Sequence, residues 1–499
     1  MPEFGFVGAS YEAPSIYQDA QECINFFPEI DPTKDQGSRG VVALYPSPGL
    51  VTQVQLAVNA VRGMRALSGG QYLIAVSGSI VYKVDLTMTA TVIGTLTIST
   101  GQVQITDNQT SDNGLTAYIV DGPNRYTWIA SSNTFAVLPS TDGPWQGADS
   151  CDVVDNYILY NEPNTQYWAA TDLGKAVSTT GYYGSKDGSP DNLVALIVDH
   201  RQVYLLGEVT TEVWVDVGSQ ISGIISFPFA RISGTSLQRG CAAKASIARF
   251  SDSFAFVSKD TRGTATIGVM TGYSYTKIST HAVENSLVGQ VISDAVAYTY
   301  RVEGHEFYVV TFPSINLTWV YDLATQQWHK WLDWSNGQFN RHRSNCGAFF
   351  NNMNLVGDYA NGKIYSIEKN VYTNDGNQIR RLRRAPHLVA DFQREYFDEL
   401  QIQFQPGVGI GGVSNPTSAT VVVSDAIENP EAMLRWSNDG GSTWSSEHWV
   451  KIGQQGKYKN RAIWRRLGMA RDRIFEVAVS SPIKAVIVSA NLKSSVGEN

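Results

Sequence analysis

A pattern of short strands and turns recurs along most of the chain. The segment YDLATQQWHKW (321–331) shows part of it, an aromatic strand end, a polar turn and a second strand with two tryptophans. Similar units begin at 39- to 53-residue intervals, at Tyr72, Ala117, Asn156, Val203, Phe254, Phe307 and Met353. Such a repeat is typical of a β-propeller, because each small sheet can bury its apolar faces only against its neighbours.

The repeat predicts a propeller over residues 61–377 with seven blades; six blades with insertions are the alternative. The N-terminal segment, 1–60, contains VVALYPSPGL (41–50), which would add a strand to the last blade and close the ring. Because Trp319, Trp328 and Trp331 stand among apolar neighbours on strands, we expect them to pack between blades.

The pattern changes near residue 378. Alternating apolar and polar residues in RIFEVAV (473–479) predict a half-buried antiparallel strand. Other strand-like runs lie at 396–404, 418–425, 432–437, 447–453, 462–468 and 483–492. Residues 378–499 are therefore expected to form a C-terminal β-sandwich domain, and the whole chain is expected to be all-β.

Composition agrees with a folded, multi-unit chain. Its 499 residues exceed the size of one ordinary core, and 43% are hydrophobic against 17% charged. No secretion signal is expected, because the start MPEFGFVGASYEAP has neither a basic n-region nor an apolar h-region. No membrane span is expected, because no apolar run approaches about 20 residues. The four cysteines are far apart and lack a C-x-x-C pair, which predicts free thiols. The scattered His and Cys residues also argue against a metal site, because metal ligands usually include a close pair.

Charge is distributed unevenly. From residue 378 onward there are 16 Lys/Arg and 12 Asp/Glu, a net of +4, which leaves 22 and 34, a net of −12, before it. Arginine pairs well with carboxylates in desolvated contacts. The candidates for contact with another subunit or an acidic partner protein are Arg380, Arg381, Arg383, Arg384, Arg465 and Arg466. Phosphate contact is the alternative, but the chain as a whole is acidic.

The segment SNDGGSTW (437–444) matches the Asp-box pattern S-x-D-x-G-x-T-W, found in sialidase propellers and other β-proteins. The pattern is carried by Ser437, Asp439, Gly441, Thr443 and Trp444. It predicts a hairpin turn in which the aspartate accepts backbone N–H groups and the tryptophan covers the turn, with no chemistry of its own. The segment GVGIGG (407–412) is expected to be a loop, because no helix follows it.

No hydrolase or nucleotide-binding motif is present, and we predict that the chain is not an enzyme. His342 and Cys346 lie four residues apart on a predicted strand, about 13 Å, too far for a catalytic dyad. Two alternatives stay open. A propeller glycosidase or sialidase would need a carboxylate pair across a cleft, and a carbohydrate-binding receptor module would expose aromatic rings on one rim.

Several longer segments together resemble the packaged-DNA stabilisation proteins (tail accessory factors or nozzle proteins) of short-tailed phages. These segments are INFFPEI (24–30), LYPSPGL (44–50), PDNLVALIVDHRQVYLLGEVTTEVW (190–214), GCAAKASIA (240–248), ISTHAVE (278–284), YTYRVEGHEFYVVTFP (298–313), LVGDYANGKIY (355–365), RRLRRAPH (380–387) and WRRLGMARDRIFEV (464–477). The resemblance spans nearly the whole chain and is more specific than any short motif above.

The resemblance implies a virion protein of the head–tail connector, assembled in the bacterial cytoplasm and located in the tail. Such proteins dock below the portal and adaptor rings after packaging and form a homohexameric tube. The tube holds a plug or needle, joins fibres or spikes, retains DNA and conducts it during ejection. DNA would pass without sequence-specific binding. The resemblance implies no catalytic residue and no cofactor.

Overall fold

A computed structural model describes residues 4–497 apart from 35–40, 180, 219, 222–223, 226, 261, 264, 390, 392, 408–428 and 454–456. Its regular structure is almost entirely β-strand. The described residues include one α-helix, His281–Leu287, and two 3-10 helices, Lys244–Ser246 and Pro313–Ile315. Among the described residues, no helix has the length and apolar character needed to span a bilayer. The predicted strand 418–425 and, beyond Gly407, the predicted loop 407–412 lie outside them.

Seven consecutive antiparallel sheets, here called sheets one to seven, are formed by the described residues between 49 and 368. Sheet one contains Val61–Ala66, Leu73–Ser77, Ile80–Val84 and Ala90–Thr95; sheet two contains Gln104–Thr110, Gly114–Val120, Arg125–Ile129 and Thr134–Val137. Sheet three contains Cys151–Val154, Tyr157–Asn161, Tyr167–Ala170 and Tyr183–Ser185; sheet four contains Leu193–Asp199, Gln202–Gly207, Thr211–Asp216 and Phe229–Arg231. Sheet five contains Gly240–Cys241, Ala248–Phe250, Ser253–Lys259, Ala265–Thr271 and Ser274–Lys277. Sheet six contains Val296–Val302, His305–Phe312, Leu317–Asp322 and Gln327–Lys330; sheet seven contains Ser344–Phe350, Met353–Asp358, Lys363–Glu368 and Gly49–Gln55.

The seven sheets surround a common axis. Their inner strands line one central cavity of about 490 Å³, to which each sheet contributes. One lining residue from each sheet, in order, is Arg65, Gln104, Asp152, Ile197, Arg249, Thr299 and Gly347. Sheet seven takes its outer strand from the N-terminal segment, since Gly49–Gln55 pairs with Lys363–Glu368. The strand that closes the ring therefore begins at Gly49. Within the expected segment 41–50, the strand Val42–Pro46 pairs instead with Phe26–Ile30 and Ile487–Val496.

The turn between the inner strand and the next strand has one conformation in sheets three to seven. Both central residues have φ between 45° and 87° in Asp155–Asn156, His200–Arg201, Ser251–Asp252, Glu303–Gly304 and Asn351–Asn352. Two-residue hairpins with positive φ at both positions are type I′ turns, whose twist matches that of the flanking strands. The sequence repeat therefore extends to backbone conformation.

The tryptophans of the 321–331 region pack between sheets, as predicted. Trp319 and Trp328 are each 1% exposed and share an apolar cluster with Val269 of sheet five. Trp331 belongs to a second cluster that includes Tyr365 of sheet seven. These side chains are core residues rather than an exposed binding site.

Sheet six continues beyond its own four strands into the C-terminal part of the chain. Ile24 pairs in parallel with Lys330, which places an N-terminal strand beside the outer strand of the sheet. The added strands follow in the order Ala20–Ile24, Arg381–Arg384, Asp472–Val479, Glu431–Ser437 and His448–Lys451, with Tyr11–Glu12 and Leu388–Val389 at the sides. The propeller is thus hydrogen-bonded to the sandwich through one continuous sheet.

A second sheet packs against these added strands and completes the sandwich. Its order is Phe26–Ile30, Val42–Pro46, Ile487–Val496, Glu395–Phe404 and Ala462–Arg465, with Met469–Ala470 beside Glu395–Phe404. An apolar core lies between the two sheets and includes Phe397, Trp464 and Phe475. Short pairs lie at Gln220–Ile221 with Ile224–Ile225, Leu332–Ser335 with Gln338–Arg341, and Thr373–Asn374 with Asn377–Gln378. The N-terminal strands therefore contribute to both sandwich sheets.

Candidate functional site at the junction of propeller and sandwich

The arginine run expected at a subunit contact lies at the junction of propeller and sandwich. Its strand, Arg381–Arg384, pairs with Ala20–Ile24 on one side and with Asp472–Val479 on the other. Alternate strand residues face the same side of a sheet, and Arg381 and Arg383 are both fully buried. The structure corrects the expected role of these two arginines, because neither has exposed surface with which to contact another subunit.

The guanidinium of Arg383 holds the N-terminal segment against the sandwich. Its Nε donates to the carbonyl oxygen of Phe6 at 2.5 Å, and its Nη1 donates to that of Ala9 at 2.8 Å. Nη2 donates to Gln21 Oε1 at 2.5 Å. Burial lowers the pKa of Arg383 to about 10, so the group keeps its charge at neutral pH and carbonyl dipoles stabilise it. Burial lowers the pKa of Arg381 to the same value.

Lys330, on the outer strand of sheet six, is buried against two N-terminal carboxylates. Its Nζ lies 2.5 Å from Glu12 Oε2 and 2.7 Å from Glu22 Oε1. Burial opposes the charge of Lys330, but Glu22 and Glu12 raise its pKa above the usual value. Burial likewise opposes the charge of Glu22, but Lys330 and Arg384 lower its pKa to about 2. The pKa of Glu12 is raised by burial and by Glu22, so Glu22 is the carboxylate that stays ionised to lower pH.

Arg384 extends this ion network into the sandwich. Its Nη2 lies 3.0 Å from Glu22 Oε2 and 2.9 Å from Glu476 Oε2, and Arg435 binds the other oxygen of Glu476 at 2.5 Å. Burial alone would lower the pKa of Arg384, but Glu22 and Glu476 raise it. Lys330, Glu22, Arg384 and Glu476 therefore join propeller, N-terminal strand and sandwich by alternating charges.

Asn25 fixes the point where the N-terminal strand passes from the first sandwich sheet to the second. It is fully buried with φ of 57°, in the left-handed region that asparagine tolerates. Its Nδ2 donates to the carbonyl oxygens of Leu332 and Arg380, both at 2.8 Å, and its Oδ1 accepts from the N–H of Leu332 at 2.8 Å. Sequence reasoning missed this role, although the residue lies in the quoted segment INFFPEI.

His305 forms a second link that sequence reasoning missed. Its Nδ1 lies 2.8 Å from Asp322 Oδ2 within sheet six, and its Nε2 lies 2.6 Å from Glu29 Oε2 on a strand of the second sandwich sheet. The bond to Asp322 raises the pKa of His305, burial opposes this, and Glu29 adds to the rise. A protonated ring can donate to both carboxylates at once.

The Asp-box segment forms a tight turn beside the ion network. Asp439 Oδ1 accepts from the N–H of Thr443 at 2.8 Å, and Ser437 Oγ accepts from the N–H of Gly441 at 2.8 Å. Hydrogen bonds from Ser437 and Thr443 lower the pKa of Asp439 to about 2. The ring of Trp444 lies 4.9 Å from the Arg384 guanidinium carbon, so the turn helps to cover the junction.

The remaining arginine candidates differ in exposure. Arg380 is mostly buried, with its Nη2 2.6 Å from Glu447 Oε1 and its guanidinium 4.9 Å from the Trp334 ring. The Arg465 side chain is 67% exposed and pairs with Glu399 at 2.7 Å. Arg466 is also exposed. Arg465 and Arg466 therefore present the candidate surface for another protein.

His342 and Cys346 are poorly suited to act as a catalytic pair. Burial raises the pKa of Cys346 to about 12 and lowers that of His342 to about 3, so a thiolate–imidazolium pair is strongly disfavoured. The described residues include no cluster of three potential metal ligands. The buried charges at the junction instead hold structural units together.

Two family models match the chain and together cover most of it. The model described as "Bacteriophage P22 Gp10, beta-propeller" matches residues 20–372. The model described as "Bacteriophage P22 Gp10, beta-sandwich" matches residues 380–495. The predicted fold class, a propeller followed by a sandwich, is confirmed.

The family match, rather than the fold, defines the class of this chain, the structural proteins of the phage tail, which are not enzymes. More particularly, the chain belongs to the P22 Gp10 family of short-tailed phages. The resemblance inferred from sequence segments is thereby confirmed.

One curated relative is the tail hub protein gp10 of Salmonella phage P22, which is 20% identical over 336 residues. The alignment covers 65% of this chain and 66% of the relative, just under two thirds of its length. Among solved structures, virginiamycin B lyase from Staphylococcus aureus aligns with a TM-score of 0.42 and 10% identity over 63% of this chain and 98% of its own. The N-terminal domain of Nup159 aligns with a TM-score of 0.39 and 12% identity over 68% and 97%. Both TM-scores are below 0.5, so neither structure bears on function.

Proposed function

We propose that this protein docks below the portal and adaptor rings of a DNA-filled phage head and forms a hexameric, ring-shaped tail extension. The extension, or nozzle, retains the packaged genome and serves as the conduit for its ejection. The observation that carries this proposal is the family match over both structural units. The curated relative, a tail hub protein, supports the same role.

The proposed partners follow from this position. Portal or adaptor proteins lie on one side, and a plug or needle with fibres or spikes lies on the other. DNA passes through without sequence-specific contact. The net charge of −12 before residue 378 supports this, because a negative wall repels phosphates and lets a duplex slide. Assembly takes place in the bacterial cytoplasm, and the mature protein is part of the virion tail.

The junction suits a conduit that must hold its shape. Inter-domain contacts usually permit domains to move unless the interface is extensive. Here the added strands of sheet six cross the boundary, and Lys330, Glu22 and Arg384 are buried within it. Such a junction would keep the two units in a fixed relation while DNA presses on the assembly.

The test is to add purified protein to DNA-filled heads that lack it, and to measure binding and nuclease-protected DNA. Wild-type protein should bind filled heads and retain DNA. Exposed Arg465 and Arg466 are the proposed portal contacts, so the variant Arg465→Glu/Arg466→Glu should bind less. The control is Arg262→Glu/Arg301→Glu, which reverses two exposed propeller arginines. DNA that leaks equally with and without the wild-type protein would contradict the proposed function.

A further inference from the structure

The strands His448–Lys451 and Ala462–Arg465 are edge strands of the two sandwich sheets. Trp464 Nε1 donates to the carbonyl oxygen of His448 at 2.8 Å, so the two edges lie side by side. Asn460 Nδ2 donates to the carbonyl oxygens of Lys451 and Ile452 at 2.8 and 2.7 Å, which holds part of the connecting segment against the first strand. These contacts bring both strands and residues 457–461 onto one side of the sandwich.

Cations and aromatic rings are exposed together on this side. We define the edge surface by Trp449, Lys451, Lys457, Tyr458, Lys459 and Arg461, all of which are exposed. Trp449 is 57% exposed and Tyr458 is 64% exposed. In the part of the chain that the structure describes, no carboxylate pairs with any of these four cations, whereas Arg380, Arg384 and Arg435 of the same domain are paired.

We propose that the edge surface binds the acidic propeller of a second copy of this chain, an inference that rests on the ring-forming function proposed above. Charge complementarity carries it: residues before 378 have a net charge of −12 and those from 378 onward have +4. The propeller also exposes carboxylates that have no ion pair with a described residue, Asp112, Glu208 and Asp252.

The aromatic rings favour a protein partner over duplex DNA. Tryptophan, tyrosine and arginine are enriched at the centres of protein interfaces, where their rings bury apolar surface against the partner. A DNA duplex keeps its bases stacked inside and offers mainly phosphates at its surface, so it would engage the cations and leave Trp449 and Tyr458 in water.

The experiment is sedimentation of the purified full chain over a concentration series at low and high salt. Wild-type protein should self-associate, and less so at high salt, because screening shortens the reach of surface charges. The variant Lys457→Glu/Lys459→Glu should weaken association by about tenfold or more. Its control, Lys259→Glu/Arg262→Glu, makes the same change in net charge on exposed propeller residues and should associate like wild type.

Three further variants separate the contributions of apolar contact and of charge. Trp449→Ala should weaken association at both salt concentrations, because it removes apolar contact rather than charge. Asp112→Lys/Asp252→Lys, mixed with Lys457→Glu/Lys459→Glu, should recover association by exchanging the two signs. Glu208→Lys, mixed with Lys457→Glu/Lys459→Glu in the same way, tests the third propeller carboxylate. Recovery of association in either mixture supports the proposal.

Three outcomes would overturn the proposal: a wild-type chain that stays monomeric at low salt, an edge variant that associates like wild type, or an edge variant that loses only binding to a DNA duplex. The last would assign the surface to phosphates. Docking to filled heads is measured in a separate experiment, the one described for the proposed function. If rings form on heads with edge variants as with wild type, the tail function stands and this surface assignment fails.

Discussion

Ile24 pairs in parallel with Lys330, and this contact joins the outer strand of a propeller sheet to the first sheet of the sandwich. The same side chain of Lys330 binds Glu12 and Glu22, so backbone pairing and buried charge coincide at one point. Further along, Gly49–Gln55 closes sheet seven. The first 55 residues therefore tie both units together, and stability should depend on them strongly.

Lys330→Met should lower the unfolding free energy by about 3 kcal/mol, because the mostly buried Glu22 keeps only Arg384 as a cation and the partly exposed Glu12 loses its nearest one. Urea unfolding of the full chain measures this change. The matched control is Lys369→Met, which breaks the surface pair with Glu303 and should cost less than about 1 kcal/mol. Equal losses in the two variants would show that the Lys330 network contributes no more than a surface ion pair.

His305 should give the junction a pH-dependent contribution. Its folded-state pKa is raised, so its stabilising contribution is fully present below the unfolded value of about 6.5 and is lost as the pH rises through the folded value. The difference in unfolding free energy between wild type and His305→Gln should therefore shrink on going from about pH 6 to alkaline pH. His281→Gln changes an exposed ring and serves as control. A difference that grows with pH would show that the ring is held neutral.

The strand repeat could be predicted because it is local. The unit starts read from sequence, such as Tyr72, Asn156 and Met353, lie at or within one residue of the second strand of a sheet, where hairpin partners are close in sequence. Seven sheets line the cavity, and the choice of seven blades over six stays a prediction. The inner strands are harder to recognise in the sequence, because the turns that follow them differ in amino-acid composition.

The junction could not be predicted, because its partners are distant in sequence. Ile24 meets Lys330 about 300 residues later, and one parallel pair leaves no periodic pattern. The strands that flank RRLRR are also distant in sequence, so this run of arginines was predicted to lie on the protein surface rather than in its interior. The groups that accept hydrogen bonds from Arg383 are mostly backbone carbonyl oxygens near the N-terminus. Such contacts do not depend on which side chains are present, so the sequence does not reveal them.

Trp328→Ala should cost about 3–5 kcal/mol of unfolding free energy, because it opens a cavity between sheets five and six. The ring is 1% exposed, and its Nε1 donates to the carbonyl oxygen of Ile278 at 2.7 Å. Thermal and urea unfolding check this value. Trp449→Ala removes a ring that is 57% exposed, and should change the stability of the monomer by no more than about 0.5 kcal/mol. Similar costs at the two positions would argue against packing between sheets as the role of Trp328.

Arg383→Met should release the N-terminal segment, whereas Arg465→Glu should leave the fold unchanged. Without the guanidinium, the carbonyl oxygens of Phe6 and Ala9 lose donors inside the protein, at about 1–3 kcal/mol for each unsatisfied group. Hydrogen exchange should therefore quicken in residues 6–24 before the sandwich core opens, and the unfolding free energy should fall.

Arg465 has its side chain mostly in water, so reversing its charge should alter stability by about 0.5 kcal/mol or less while it weakens docking to filled heads. Measuring exchange, stability and docking on both variants separates the two roles. If Arg383→Met keeps wild-type exchange in residues 6–24 but fails to dock, the guanidinium acts at a contact between proteins after all, and the intramolecular role assigned to it here is wrong.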